Sequence, residues 1–107
     1  MASGKEYLDF VLDQLEGLPE IAYRKMMGEY ILYYKGKIMG GIYDDRLLVK
    51  NLPSARALMP DAPVELPYEG AAGMLLVEEV EDRALLRALF EALYRDLPAP
   101  GKKKKQK

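Results

Sequence analysis

Residues 22–50 read AYRKMMGEYILYYKGKIMGGIYDDRLLVK, and the rest of the 107-residue chain is organised around them. Tyr30 to Tyr34 is a run of aromatic and aliphatic residues with high strand preference. Lys35-Gly36-Lys37 is a polar turn whose glycine accepts positive φ, and residues 38–43 read as the returning strand. Asp44 and Asp45 make the next tight connection, because Asp tolerates the left-handed conformation of a type I′ hairpin better than most residues. Residues 47–50 form a further strand, with Leu47 and Val49 expected inward and Lys50 outward. Residues 24–27 fit a short leading strand before Gly28. The block is therefore expected to be an antiparallel meander of three or four strands.

Helices are expected on both sides of it. Ser3 and Glu6 have the spacing of a capping box, and Tyr7, Phe10, Val11, Gln14, Leu15 and Leu18 follow helical periodicity, with Leu8 and Leu12 widening the stripe. Gly17 and Pro19 end that helix, which spans about residues 4–16. After the meander, residues 51–59 read as a short helix that Asn51 or Ser54 caps, with Pro53 suited to a first turn. Residues 64–68 form a weak, proline-interrupted edge strand, and residues 74–78 a better one. Glu81 and Asp82 open a last helix whose stripe is Leu86, Leu89, Phe90, Leu93 and Leu97, flanked by Leu85 and Ala92. The expected fold class is α+β: two layers, an antiparallel sheet of five or six strands, and helices packed on one face.

The composition narrows the chemistry. The chain has no cysteine and no histidine, which excludes disulfides, thiolate nucleophiles, histidine triads and histidine-ligated metals. With 50% apolar and 31% charged residues it reads as one globular domain over residues 1–100, followed by a disordered basic tail over 101–107. No apolar run approaches the roughly 18 residues that span a bilayer, and the N-terminus lacks a signal-peptide core, so a cytoplasmic protein is expected. Enzymatic activity is not expected, and no cofactor is expected.

The net charge of −1 hides segregation. Residues 1–20 carry −4, residues 21–50 carry +3, residues 51–100 carry −5 and residues 101–107 carry +5. The sheet block is thus basic between acidic neighbours. Arg24, Lys25, Lys35, Lys37, Arg46 and Lys50 are candidates for one basic face, open to a phosphate backbone or to a salt-bridged, solvated surface. Asp44 and Asp45 are read as turn residues rather than a metal site. Gly28 has two readings: a bend or bulge between strands, or an opening beside Arg24 and Tyr30 for a bound partner.

The same stretch carries a recognisable spacing. RKMMGEYILYY, the glycine at position 36 and DDRLLVK resemble the TfoX N-terminal domain family, also called the Sxy family of competence regulators. Members show Arg-x-Met-Phe-Gly-x-Tyr-x-x-Tyr, a glycine turn, then Asp-Asp-x-Leu-Tyr-Leu-Lys. Arg24, Met26, Gly28, Tyr30, Tyr33, Gly36, Asp44, Asp45, Leu47 and Lys50 fall on that pattern, while Met27 replaces the usual aromatic and Leu48 the usual Tyr. The opening helix and PYEGAAGMLLVEEV extend the resemblance to about residues 3–97. A second, C-terminal domain found in full-length competence regulators is not expected here. The resemblance implies an α+β domain laid out like type III secretion chaperones, and a non-enzymatic role as a co-activator of DNA-uptake genes beside a cAMP-receptor-type activator.

These readings give an expected interaction surface of Arg24, Lys25, Tyr30, Lys35, Arg46 and Lys50, with Met26, Gly28, Gly36, Asp44 and Asp45 as structural motif residues. The expected partner is a protein, either a transcription activator or an RNA polymerase component. Direct nucleic-acid binding by the basic strip, and a small-ligand or enzymatic pocket between helix and sheet, are the alternatives. A homodimer is open, because a small sheet leaves edges that need cover.

Overall fold

The strand run around Tyr30 acquires partners on both sides. In the computed structural model, which describes residues 4–26 and 28–97, the meander has four strands: β1 (Ile21–Met26), β2 (Glu29–Tyr34), β3 (Lys37–Ile42) and β4 (Leu47–Lys50). Two later strands, β5 (Val64–Glu65) and β6 (Met74–Leu76), complete an antiparallel sheet of order β1-β2-β3-β4-β6-β5. Helices α1 (Lys5–Gln14), α2 (Pro53–Leu58) and α3 (Arg83–Asp96) supply the second layer. This is the two-layer α+β class expected from the sequence.

The turns explain the register. Lys35 and Gly36 have φ of 52° and 84°, and Asp44 and Asp45 have 55° and 57°, so both two-residue connections have the positive φ values that a type I′ hairpin requires. Tyr43 and Arg46 close the second with reciprocal backbone bonds of 2.9 and 3.0 Å. Asp45 does more than turn the chain: its Oδ1 accepts the Gly4 N–H at 3.0 Å, fastening the entry of α1 to this hairpin. Gly28, with φ 85°, lies in the turn directly before β2, so it is a turn glycine and not a bulge within a strand.

A bulge occurs elsewhere. Tyr33 pairs with Ile38 but Leu32 pairs with Gly40, which leaves Met39 as an extra residue in β3. Strict alternation would send Met39 and Ile42 to opposite faces, yet both are fully buried in the core. The inserted residue resets the alternation between them.

The core fills the space between the layers. Leu8, Val11 and Leu15 from the α1 region, Ala55 and Met59 at α2, and Leu86, Leu89, Phe90 and Leu93 from α3 meet Tyr30, Leu32, Tyr34, Ile42, Leu47 and Val49 of the sheet. The stripe of α1 is therefore centred on Leu8, Val11 and Leu15, with Tyr7, Phe10 and Leu12 at its margins. The helix caps also differ from expectation. Gly4, which has no side chain to cap the first turn, stands at the N-cap of α1, and Ser3 lies outside the described residues. Leu52 occupies the N-cap of α2, where Asp96 Oδ2 from the end of α3 accepts the Ser54 N–H at 3.3 Å. Neither Asn51 nor Ser54 caps that helix. Asp82 does cap α3, accepting from the Leu85 N–H at 3.1 Å.

Candidate functional site: the open face of the sheet

Helices cover one face of the sheet, and the other is built by the remaining strand positions. Because antiparallel partners share a face, the register places Arg24 with Ile31, Ala22 with Tyr33 and Met26 with Glu29 away from the helices. Gly41 and Leu48 form the next pair of that row across β3 and β4, and Lys50 pairs with Met74. Leu48 is fully buried although it does not belong to the helix-side core. Residues 66–73 supply cover on this side.

The cover is anchored by Arg46. Its Nε donates to the Tyr43 carbonyl at 3.1 Å, one terminal nitrogen pairs with the Glu65 carboxylate, and the other donates to the Leu66 carbonyl at 3.3 Å. This clamp holds the start of the 66–73 segment against the β3–β4 hairpin. Beyond it, the Tyr68 ring leans on the Tyr43 ring with centroids 6.5 Å apart. Tyr43 in turn lies over Gly41: a Cβ there would come within 2.8 Å of the ring and 2.5 Å of the Tyr30 carbonyl oxygen. Gly41 is thus a close-approach glycine that seats an aromatic wall.

Between this wall and β1 runs a groove. It consists of two adjoining depressions of about 500 and 460 Å³, which share Met26, Ile31, Tyr43, Pro67 and Tyr68. Tyr33, Ile38 and Lys50 line one end, and Glu29 the other. Three large apolar residues at the groove remain well exposed: Met26 at 47%, Ile38 at 41% and Tyr68 at 65%. Burial raises the Tyr43 phenol pKa, with Tyr68, Glu29 and Tyr33 adding to it, so Tyr43 is uncharged near neutrality. Glu29 is engaged, its Oε1 accepting the Asp44 N–H at 3.1 Å.

The expected interaction surface is split by the structure. Arg24 and Lys50 do lie on the open face, Lys50 on β4 at the groove and Arg24 on the edge strand β1, with β2 and β3 between them. Lys25 points to the opposite side, sharing its face with Tyr30. Tyr30 is not a surface residue: it is buried on the helix side, edge-on to Tyr23 with ring centroids 5.8 Å apart. Lys35 sits at the β2–β3 turn over the Tyr34 and Tyr94 rings, at 5.1 and 5.3 Å from their centroids. Arg46 is committed to its clamp. Lys37 donates to the Tyr94 and Leu97 carbonyls at 2.9 and 2.7 Å, closing the C-terminal end of α3. The cations therefore do not form one continuous strip. Asp44 and Asp45 are turn residues as expected, and Gly36 is the glycine of its turn.

A smaller depression of about 370 Å³ lies by α2 and α3, where Asp61, Glu78, Glu79 and Asp82 surround Leu58, Met59 and Leu85. Asp82 is already the cap of α3. Among the described residues no group of three acidic, histidine or cysteine side chains is placed to hold a metal ion, and no helix is long and apolar enough to cross a membrane.

Residues 13–96 match the model of the TfoX N-terminal domain. The chain belongs to the TfoX N-terminal domain family. A second comparison is consistent in extent. A 12.7 kDa protein of Spirochaeta aurantia, described as uncharacterized and as encoded in the trpE 5′ region, is 30% identical over 105 residues, which cover 97% of this chain and 91% of its own. On the TfoX N-terminal fold, the motif positions divide by role. Gly28, Gly36, Asp44 and Asp45 shape turns, Tyr30 and Leu47 fill the core, and Arg24, Met26, Tyr33 and Lys50 face the groove side.

The groove-wall residues Pro67 and Tyr68 were missed as functional candidates by sequence reasoning. One signal was available: YILYY is apolar at every position, which is the pattern of a strand covered on both faces. A surface on the side away from the helices follows from it.

Proposed function

We propose that this TfoX N-terminal domain is a non-enzymatic protein-docking module of transcriptional regulation, and that the open face of its sheet is the docking surface. The observation that carries this reading is the groove. It is an apolar depression on the side without helices, walled by Tyr43 and Tyr68, floored by Ile31 and rimmed by the exposed Met26 and Ile38. Contiguous exposed apolar surface with aromatic walls suits burial by a partner, since aromatic and Met side chains give large contact area at low ordering cost. Arg24 and Lys50 add positive charge to the same side. The scattering of the remaining cations supports a protein partner over a phosphate backbone, which needs cations along one track. A transcription activator or an RNA polymerase component is the partner class that the resemblance to competence regulators implies.

The test is co-purification of the full chain, tagged and expressed in its own host, with three variants. Tyr68→Glu and Met26→Glu charge the groove, and Ala84→Glu charges the exposed side of α3. The expected result is one specific partner that wild type and Ala84→Glu retain and both groove variants lose. A partner retained by both groove variants and lost with Ala84→Glu would overturn the placement.

A further inference from the structure

We propose that β1 is a receptor edge, which takes an extended acidic segment of a protein partner as a seventh strand of the sheet. This rests on the reading of the open face as a docking surface, and it names the form and charge of what docks beside it.

Strand β1 ends the sheet. Among the described residues it pairs only with β2, through six consecutive register pairs without a bulge, while the opposite edge, β5, is two residues long. Every β1 residue after Ile21 is exposed. A long, regular edge that no described strand covers presents a row of backbone donors and acceptors that another strand can complete. Natural edges carry guards against indiscriminate pairing. The only charged residues of IAYRKM are Arg24 and Lys25, both positive, so the guard is selective by sign.

The two cations face opposite ways, Arg24 with Ile31 on the open side and Lys25 with Tyr30 on the helix side. A phosphate chain running along one face meets only one of them. An added strand meets both, because successive residues of a strand alternate between faces. Two adjacent carboxylates in the incoming segment therefore place one acid beside Arg24 and the next beside Lys25. A second copy of this chain fits worse. Antiparallel self-pairing over the whole strand sets Arg24 of one copy diagonal to Lys25 of the other, within reach of like-charge repulsion. Exposed Met26 follows the pair on the Arg24 side and borders the groove, so an apolar residue of the same segment continues onto that surface.

The test is an NMR titration of the 15N-labelled full chain at low salt with the synthetic peptide Thr-Val-Asp-Glu-Val-Thr. Two control peptides accompany it: the charge-reversed Thr-Val-Lys-Arg-Val-Thr, and the acidic sequence N-methylated at every residue so that neither of its edges can donate to a ladder. We expect shifts concentrated on the amides of residues 21–26, no binding of the basic or N-methylated peptides, and an affinity at least about tenfold weaker for Arg24→Glu/Lys25→Glu. Both substituted side chains are exposed, and an unchanged amide spectrum elsewhere verifies the fold of that variant. Three outcomes would overturn the edge assignment: equal binding of the N-methylated peptide, shifts confined to the groove, or no shift of β1 up to the solubility of the peptide. If any of these occurs while Tyr68→Glu still abolishes co-purification, the edge assignment fails and the docking face stands.

Discussion

Tyr34 shows how one side chain ties the layers together. Its ring is fully buried against Phe90 and Tyr94, and its hydroxyl donates to Glu91 Oε2 at 2.7 Å. Burial raises its pKa above the ordinary 10.0, the Glu91 hydrogen bond and charge add to the rise, and Lys35 partly offsets it. The sign of the linkage follows. Below about pH 10 the phenol is neutral in both states and its contribution to stability is complete. Above that the unfolded chain ionises first, so stability falls as pH rises through the folded-state value. Tyr7 and Tyr43, also raised chiefly by burial, act in the same direction. Tyr34→Phe should cost about 1–2 kcal/mol at neutral pH, from the lost bond to a half-buried carboxylate, and should flatten the alkaline decline. Urea denaturation between neutral pH and pH 11 checks both. An unchanged alkaline slope would assign the decline to other groups.

At the scale of elements, two junctions hold parts that hydrophobic burial alone does not position. Lys37, from the start of β3, closes the end of α3 by donating to the Tyr94 and Leu97 carbonyls while its ammonium lies 4.0 Å from the Tyr94 ring centroid. Lys37→Met keeps the apolar stem and removes the donors and charge, and is expected to destabilise by about 1–2 kcal/mol in urea unfolding at neutral pH. The second junction is the wall on the open face. Gly41→Ala pushes a methyl into the Tyr30 carbonyl and the Tyr43 ring, and should cost about 1–3 kcal/mol while displacing Tyr43. Gly70→Ala, where φ is 88° but no described residue stands within 4 Å, should cost only the backbone strain of about 1 kcal/mol. Thermal unfolding ranks the two, and near-UV circular dichroism reports the ring movement in the first. The meander itself was legible because each turn announces itself: Lys35-Gly36 and Asp44-Asp45 are residues that accept positive φ between apolar runs. The caps were less legible. Those of α1 and α2 involve Asp45 and Asp96, 41 and 42 residues away, and no local spacing signals such a contact.

For the whole molecule, the sequence located the block that matters but not the side on which it acts. In YILYY both alternating sets are apolar, so periodicity alone could not say whether Tyr30 or Ile31 faces the helices. The bulge at Met39 shifts the alternation once more within β3. The six cations between positions 24 and 50 end on two faces, two turns and a helix end, because strand alternation separates Arg24 from Lys25 and the turns and the end of α3 take Lys35, Arg46 and Lys37. The groove depends on a contact between distant segments, since the Arg46–Glu65 clamp brings residues 66–73 over the sheet. Its apolar lining was visible only as an excess of apolar residues. The docking claim is tested most directly by a photocrosslinking amino acid, p-benzoylphenylalanine, placed in the full chain in its own host at Tyr68 or Ile38, and at Ala84 of α3 as the contrast. We expect a discrete crosslinked species from the two groove positions and none from Ala84. Crosslinks from Ala84 with none from Tyr68 or Ile38 would contradict the assignment of the open face.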